Sequence, residues 1–345
     1  MPARGTRQAG TAPGGWESAW PYLCLMGAPL FWSGNMIFGR VLAGAVPPFT
    51  LSLIRWIVAT LVLFLAVRLA EGRTTWPARA AWGPIAVMAA TSVATFTPLV
   101  YISLHFVGSV EASLIQSSTP VFALFIARLT AGERLTWGKG LGSLLTILGV
   151  AVIVSHGEPA RLLALHWDLG DLIMLLAALL WAVSTVAARH VAGRATPLSA
   201  TFHSAWLGLP MLLPAAAWEL ARGASIHPTP VALVGVAYVS IFPSALAFLA
   251  WNYGVARIGA GRAAVFNNLL PLFTAVWAVL LLGEPLSWAQ ALGGALILGG
   301  VSLGGTVRTE AGATLAPARR PGPGAFLWLP VVKANQPVQN GRETD

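Results

Sequence analysis

The side chains best suited to chemistry in this chain are amides, hydroxyls, one arginine and one histidine that interrupt long apolar runs. A polar group inside such a run costs free energy unless it is paired or faces a cavity, so it is a functional candidate by default. Amides and hydroxyls suit a small polar solute that forms hydrogen bonds. Together with two tryptophans that can wall a pocket, the candidate substrate-binding residues are Trp32, Asn35, Arg55, Thr95, Tyr101, Gln116, Trp181, Ser184, His203, Asn267 and Asn268.

Each type of candidate also has a purely structural explanation. Serine and threonine in apolar helices commonly bond the carbonyl one turn back, and tryptophans commonly contact lipid or pack in a core. Arg55 lies near the outer end of its run, where it either reaches water with its long stem, binds a substrate carboxylate or pairs with Glu111. His203 is the candidate for proton coupling because histidine titrates near physiological pH; a hydrogen-bonded structural histidine is the ordinary alternative.

Four prolines fall inside apolar runs. A proline within a helix frees a carbonyl and bends the helix axis. Such bends either shape a cavity and act as hinges or are static features accommodated by neighbouring helices. The candidate hinge positions are Pro98, Pro120, Pro243 and Pro271.

The sequence contains no motif for catalysis or for a cofactor. There is no glycine-rich nucleotide loop followed by Lys and Ser or Thr, no HExxH and no pair of carboxylates inside an apolar run. The single cysteine, Cys24, excludes a disulfide framework and offers no metal-ligand spacing. We therefore expect no enzyme activity, no cofactor and no metal. An intramembrane enzyme and a channel are the alternatives, although a channel needs a continuous polar lining or charged rings.

The composition indicates a membrane protein. Of the 345 residues, 56% are hydrophobic and 10% are charged, whereas a soluble domain carries roughly 25% charged residues. The formal net charge of +9 would favour nucleic acid if the basic residues formed one patch. They lie instead in short gaps between apolar runs, as lipid-flanking charges do. We expect a lipid bilayer and a small solute as partners, and no nucleic acid.

Ten apolar runs approach the length of a membrane span, since a hydrocarbon core about 30 Å thick needs roughly 20 helical residues. Their continuity favours helices over the alternating strands of a barrel. The predicted fold class is therefore an all-α integral membrane protein with about ten transmembrane helices. The runs are Trp20–Phe38, Phe49–Leu69, Trp82–Leu104, Val110–Ala127, Trp137–Ser155, Asp171–Arg189, Leu198–Leu220, Val231–Tyr253, Ala263–Leu282 and Ser287–Thr306.

The distribution of Lys and Arg orients these spans, because both residues are retained on the cytoplasmic side. With the N-terminus inside, only Arg40, Arg161 and Arg222 fall in outer segments, and Arg55 lies within a span. We predict a multi-pass protein of the cytoplasmic (inner) membrane with both termini in the cytoplasm. The tails are residues 1–19 and 307–345, and the second, rich in Pro, Gly and Arg, is predicted to be disordered.

The chain carries an internal duplication with a fixed offset of about 150 residues. The segment GERLTW that begins at Gly132 matches GEPLSW that begins at Gly283, and Trp32 corresponds in the same way to Trp181. Because each copy contains five predicted spans, the second enters the membrane from the opposite side, as in alternating-access carriers. The predicted organisation is a first repeat at 20–155, a periplasmic or extracellular linker at 156–170 and a second repeat at 171–306.

Several motifs resemble those of a known family. The run FWSGN at 31–35, Pro47 and Pro48 ahead of Arg55, the Gly-Glu pairs at 132–133 and 283–284, and the stretch 247–259 are similar to the drug/metabolite transporter superfamily, in particular its ten-helix EamA-type carriers. The resemblance covers about residues 20–306. It implies a carrier or exporter of amino acids, nucleobases or similar metabolites, with the site between the repeats. It leaves open the coupling to a proton or other ion, and the choice between monomer and homodimer.

Overall fold

The computed structural model describes residues 15–72, 76–131, 136–158, 160 and 168–306, which form helices and no strand. Both tails and the GERLTW segment lie wholly or largely outside the described residues. We label ten helical segments in chain order. They are α1 Gly15–Leu42, α2 Pro48–Glu71, α3 Arg79–Ser103, α4 Ser109–Gln116 with Thr119–Ala131, α5 Trp137–Val154, α6 Leu169–Val191, α7 Pro197–Ala221, α8 Pro230–Ile258, α9 260–282 and α10 Trp288–Thr306.

The predicted fold class, an all-α integral membrane protein, is confirmed. Seven of the described helices are long and apolar enough to cross a membrane, and Trp288–Leu303 is a shorter apolar helix. Most helix ends lie within a few residues of the predicted ones because charges and Gly or Pro mark them in the sequence. The exact number of ten crossings stays a prediction.

The largest apolar core joins helices from both halves of the chain. It includes Met36 of α1, Tyr101 of α3 and Ile115 of α4, packed with Met174 of α6 and Val239 of α8. All five side chains are almost fully buried. The two halves therefore share one interior, and a polar residue on these faces must find its partners there.

Helices α5 and α10, which are equivalent in the two repeats, pack against each other through glycines. A Cβ atom added to Gly149 would lie 2.6 Å from the carbonyl oxygen of Gly293, and one added to Gly300 would lie 2.5 Å from that of Gly142. The residue pairs run in opposite directions along the two helices, so the helices are antiparallel. Small residues permit such close backbone approach in membranes. Antiparallel equivalent helices are what an inverted repeat requires.

Helices α2 and α7 are also equivalent and antiparallel, and a carboxylate joins them at each end. Glu219, near the end of α7, accepts hydrogen bonds from the backbone N–H of Thr50 at 2.8 Å and from its hydroxyl at 2.9 Å, at the start of α2. Glu71, at the end of α2, accepts one from the hydroxyl of Thr196 at 2.5 Å, at the start of α7. A carboxylate is favourable beside the unpaired N–H groups of a helix N-terminus.

Departures from regular α-helix adjoin all four prolines that were predicted as kinks. A π-helical turn has one extra residue and shifts the side chains that follow it around the helix axis. The hinge role of these prolines stays a prediction. The departures are the π-helical stretch Ala89–Phe96 before Pro98, the interruption at 117–118 before Pro120, the π-helical stretch Phe242–Leu246 around Pro243, and the 3₁₀ turn Ala264–Asn268 before Pro271.

The glycine contact between α5 and α10 predicts that Gly149→Val destabilises the protein. Added methyl groups would press on the Gly293 carbonyl and on Ile297, and overpacking typically costs about 1–3 kcal/mol. We expect a lower temperature of thermal unfolding for purified protein in detergent. Gly140→Val in the same helix is the matched control, because nothing lies within 4 Å of a Cβ atom there. Equal unfolding temperatures for the two variants would contradict this packing.

Candidate functional site

A buried arginine forms the centre of a polar cluster. Arg55 is 6% exposed and donates from Nη1 to Oδ1 of Asn35 at 2.9 Å and to the hydroxyl of Tyr101 at 2.8 Å. Its Nε donates to Oγ of Ser244 at 2.5 Å, and Tyr101 in turn donates to Asn35 Oδ1 at 2.9 Å. We call these four residues the Arg55 cluster. Three of them were candidates from the sequence.

The Arg55 cluster draws on both repeats. Asn35 lies on α1, Arg55 on α2 and Tyr101 on α3, whereas Ser244 lies on α8 of the second repeat. Ser244 occupies the π-helical turn, where its hydroxyl donates to the carbonyl of Val239, five residues earlier, at 2.6 Å. Its oxygen is thereby free to accept from Arg55. The cluster is one of the direct polar links between the repeats.

Two of the three alternatives for Arg55, namely that it reaches water and that it pairs with Glu111, are wrong. Its side chain is enclosed by the helices, with the rings of Trp56 and Tyr101 centred 5.5 and 5.9 Å from Cζ. In the part of the chain that the structure describes, no carboxylate forms an ion pair with it. The buried charge is held by neutral acceptors and by the faces of two aromatic rings, which favour a cation.

The guanidinium retains hydrogen-bonding capacity. An arginine carries five N–H donors in a rigid fork that matches a carboxylate or phosphate. The hydrogen bonds to Asn35, Tyr101 and Ser244 use Nε and Nη1, and none of them uses Nη2. The arrangement can therefore bind an anionic group without losing its internal bonds.

Five aromatic rings, which we call the aromatic cluster, lie beside the Arg55 cluster. Trp32 and Trp181, the equivalent tryptophans of the two repeats, both contact Phe248, with ring centres 5.7 and 6.3 Å away. Trp251 packs on Trp32 at 5.6 Å, and Phe96 packs on Trp181 at 4.7 Å. The meeting of the two equivalent tryptophans at one ring places this cluster at the junction of the repeats.

Backbone and helix spacing place the aromatic cluster next to the polar one. The indole N–H of Trp32 donates to the carbonyl of Pro243 at 3.0 Å, one residue before Ser244. Trp32 and Asn35 are also three residues apart on α1, so their side chains lie on the same side of the helix. A solute at Arg55 would have an apolar wall beside it.

Two buried amide atoms lack partners among the described residues. They are Oε1 of Gln116, an acceptor, and Nδ2 of Asn252, a donor. A buried amide atom without a hydrogen bond costs about 1–3 kcal/mol, so both atoms are suited to bind a ligand or water. Ser184, the equivalent of Asn35 in the second repeat, is also buried, at 6% exposure.

Three residues that the sequence predicted as substrate ligands form no described hydrogen bond with the Arg55 cluster. Thr95 is exposed, and its hydroxyl donates to the carbonyl of Ala90. Asn267 is exposed, and Asn268 donates from Nδ2 to Ser302 of α10 at 3.0 Å. Their roles as substrate ligands stay predictions, and none of these hydrogen bonds involves the Arg55 cluster.

His203 lies in a separate aromatic environment near the start of α7. Its Nδ1 bonds the carbonyl of Ser199 at 2.7 Å, and its ring centre lies 5.4 Å from that of Trp82 and 5.7 Å from that of Trp76. The residue is 1% exposed. Proton coupling through His203 stays a prediction, and its contacts tie α7 to α3 and to the segment before α3.

Several residues described above were not among the substrate-binding residues predicted from the sequence. Ser244 was visible as a polar residue beside Pro243, but only the π-helical turn directs it towards Arg55. Asn252 was detectable because the internal offset pairs it with Tyr101. Glu71 and Glu219 sit at helix ends, where sequence alone indicates ordinary interfacial charges.

Comparison with known proteins gives consistent matches. The model of the EamA-like transporter family matches twice, at residues 19–155 and 168–305. A protein named probable terminal-alkyne amino-acid exporter, from Streptantibioticus cattleyicolor, is 32% identical over 219 residues, which cover 64% of this chain and 71% of the relative. The uncharacterized transporter YyaM of Bacillus subtilis is 25% identical over 289 residues, or 83% of this chain and 94% of the relative.

A solved structure has the same fold. Described only as the crystal structure of a protein, it superposes with a TM-score of 0.59 and 23% sequence identity. The match covers 84% of this chain and 99% of the solved chain. It supports the architecture and carries no information on the solute.

The hydrogen bonds of Tyr101 predict that Tyr101→Phe lowers stability. The hydroxyl accepts from Arg55 and donates to Asn35, and a hydrogen bond to a charged group contributes about 1.5–3 kcal/mol. We expect a lower thermal unfolding temperature in detergent than for the wild type. Tyr22→Phe is the control, since Tyr22 is 42% exposed. Unchanged stability in Tyr101→Phe would show that the cluster is not formed in solution.

Proposed function

Because the chain belongs to the EamA-like transporter family, we propose that this membrane transporter exports an amino acid or a similar polar solute across the cytoplasmic membrane by alternating access. The observation that carries the proposal is the Arg55 cluster. A buried cation held by neutral groups from both repeats, with no described carboxylate paired to it, is suited to receive an anionic group.

The carboxylate of the solute would bind the guanidinium of Arg55. A hydrogen bond between charged partners is about twice as strong as one between neutral groups. In a site from which water is excluded, the attraction is stronger still because the effective dielectric constant is lower. Binding at Arg55 would also neutralise its buried charge, so the solute and the transporter would stabilise each other.

The rest of an amino acid has complementary partners in the same interior. The aromatic cluster offers apolar surface for the carbon skeleton, and Oε1 of Gln116 is an unused acceptor that suits an ammonium group. Aromatic rings also attract a cation at about 0.5–2 kcal/mol. Arg55 thus offers a cation for the carboxylate, and the aromatic cluster beside it offers electron-rich faces for the amine.

Alternating access is supported by the antiparallel packing of equivalent helices. Inverted halves can exchange conformations, so that states open to opposite faces have similar energies. The carboxylates of Glu219 and Glu71 join α2 to α7 at both ends. These two helices would move as one body, and opening would occur where other helices meet.

The direction of transport and the location rest on two further supports. The relative that is 32% identical to this chain over the aligned residues is named a probable terminal-alkyne amino-acid exporter. The Lys and Arg residues are concentrated in alternate segments, which supports a cytoplasmic position for both termini in a chain of ten crossings.

The proposal predicts that Arg55→Gln strongly slows exchange of the solute. Proteoliposomes loaded with unlabelled amino acids would be tested for counterflow of each labelled amino acid in turn. We expect the wild type to exchange at least one of them and Arg55→Gln to exchange it at least tenfold more slowly. Loss of one charge-assisted hydrogen bond of about 1.5–3 kcal/mol corresponds to at least this factor.

The matched control is Arg222→Gln, whose guanidinium packs over the exposed ring of Trp218. It should leave exchange unchanged. Equal abundance and a single size-exclusion peak for both variants would separate loss of binding from loss of folding. The wild type should also discriminate against the carboxamide of its solute. Normal exchange by Arg55→Gln, or equal exchange of acid and amide, would refute the role of Arg55.

The proposed orientation predicts which engineered cysteines face the outside. In a Cys24→Ser background, Ser225→Cys, between α7 and α8, should react with a membrane-impermeant maleimide added to intact cells. Ala192→Cys, between α6 and α7, should react only after the cells are opened. Both positions are exposed in the structure, so access is decided by the membrane alone. Labelling of position 192 in intact cells would reverse the orientation.

A further inference from the structure

We propose that the end of the bundle at which α4 and α6 begin binds a divalent metal ion of the zinc class, held by Glu111, His156 and Asp171. Glu111 lies in the first turn of α4, His156 directly after α5, and Asp171 in the first turn of α6. One possible ligand atom from each residue lies within 4.8 Å of the other two. None of these three residues belongs to the Arg55 cluster.

The distances require only a small adjustment to bind an ion. The three ligand atoms are at most 4.8 Å apart, so a central point lies no more than about 2.8 Å from each. Zinc binds imidazole nitrogen and carboxylate oxygen at about 2.0–2.2 Å. Each ligand atom would therefore move by less than about 1 Å, within the reach of side-chain rotation. Imidazole nitrogen and carboxylate oxygen are both zinc ligands, and a water can complete the tetrahedron.

Glu111 provides the argument that is independent of proximity. Glu111 is 7% exposed, and no described residue forms an ion pair with its carboxylate. Burial of an unpaired carboxylate is costly in free energy. A cation between Glu111 and its neighbours would remove this cost.

His156 is already oriented by a fourth residue. Its Nε2 bonds Oδ2 of Asp168 at 2.9 Å. Histidines that bind metals generally bond a carboxylate through the other ring nitrogen, which fixes the ring and increases its basicity. The side chain of His156 is 41% exposed, so an ion can reach the site from solvent without unfolding any helix.

The local charge also favours a cation. The carboxylate of Glu284 accepts a hydrogen bond from the backbone N–H of Ser109, at the start of α4, at 3.0 Å. The carboxylates of Glu284 and Asp168 both interact electrostatically with Glu111. Several carboxylates at one end of the bundle raise the local concentration of cations. An ion there would link α4 and α5 of the first repeat to α6 of the second.

The site was not visible in the sequence because its ligands come from separate elements. The spacings between Glu111, His156 and Asp171 match no metal-binding motif. The sequence therefore led to the expectation of no metal. Only the packing of α4, α5 and α6 brings the three residues together.

Binding is tested on the untagged, full-length protein in detergent. After removal of metal with a chelator, isothermal titration with Zn²⁺ should show about one ion bound per chain. Glu111→Gln and His156→Gln should each weaken this affinity at least tenfold, the usual effect of altering a metal site. Glu158→Gln is the matched control, because Glu158 is exposed and lies two residues from His156. It should bind Zn²⁺ as the wild type does.

Parallel titrations with Mg²⁺ and Ca²⁺ should be much weaker, because these ions prefer all-oxygen sites. Size-exclusion profiles and metal-free unfolding temperatures would establish that the variants fold. Absence of Zn²⁺ binding in the wild type, or undiminished binding in both ligand variants, would overturn the proposal. The measurement does not involve transport, so its outcome is independent of the role proposed for Arg55.

Discussion

The burial of the Arg55 guanidinium is the constraint on which the interior depends. A charge enclosed by membrane helices costs several kcal/mol unless hydrogen bonds and polarisable groups surround it. Asn35, Tyr101 and Ser244 provide the hydrogen bonds, and the faces of aromatic rings provide the rest. Because one of these partners belongs to the second repeat, the cost can be met only when the two repeats are packed together.

The inverted duplication supplies the frame that holds this interior. Equivalent helices meet in antiparallel pairs, and each pair uses the same contact twice. The α5 and α10 pair repeats its glycine contact, and the α2 and α7 pair repeats its carboxylate at a helix start. A contact that is favourable in one repeat is thus favourable again in the other.

Much of the fold could be predicted from the sequence, and the site only in part. Long apolar runs and the internal offset determine helices and repeats because both depend on local pattern. Asn35, Arg55 and Tyr101 were predicted as ligands, yet their convergence depends on packing between distant segments. The error at Arg55 has the same origin: its position near a helix end suggested water, whereas the neighbouring helices enclose it. Ser244 depends on a π-helical turn, which hydropathy does not reveal.

The duplication is symmetric in its scaffold but not in its charge. The residues of the second repeat that correspond to Arg55, Asn35 and Tyr101 are Ser204, Ser184 and Asn252, which are polar and neutral. A carboxylate held by Arg55 would therefore stay with the first repeat when the halves exchange conformations. The solute would keep its orientation relative to that repeat. The free energies of the two access states would then differ by the interaction of the solute with the second repeat. A symmetric frame would bring the two access states close in energy, and an asymmetric site would set the remaining difference between them.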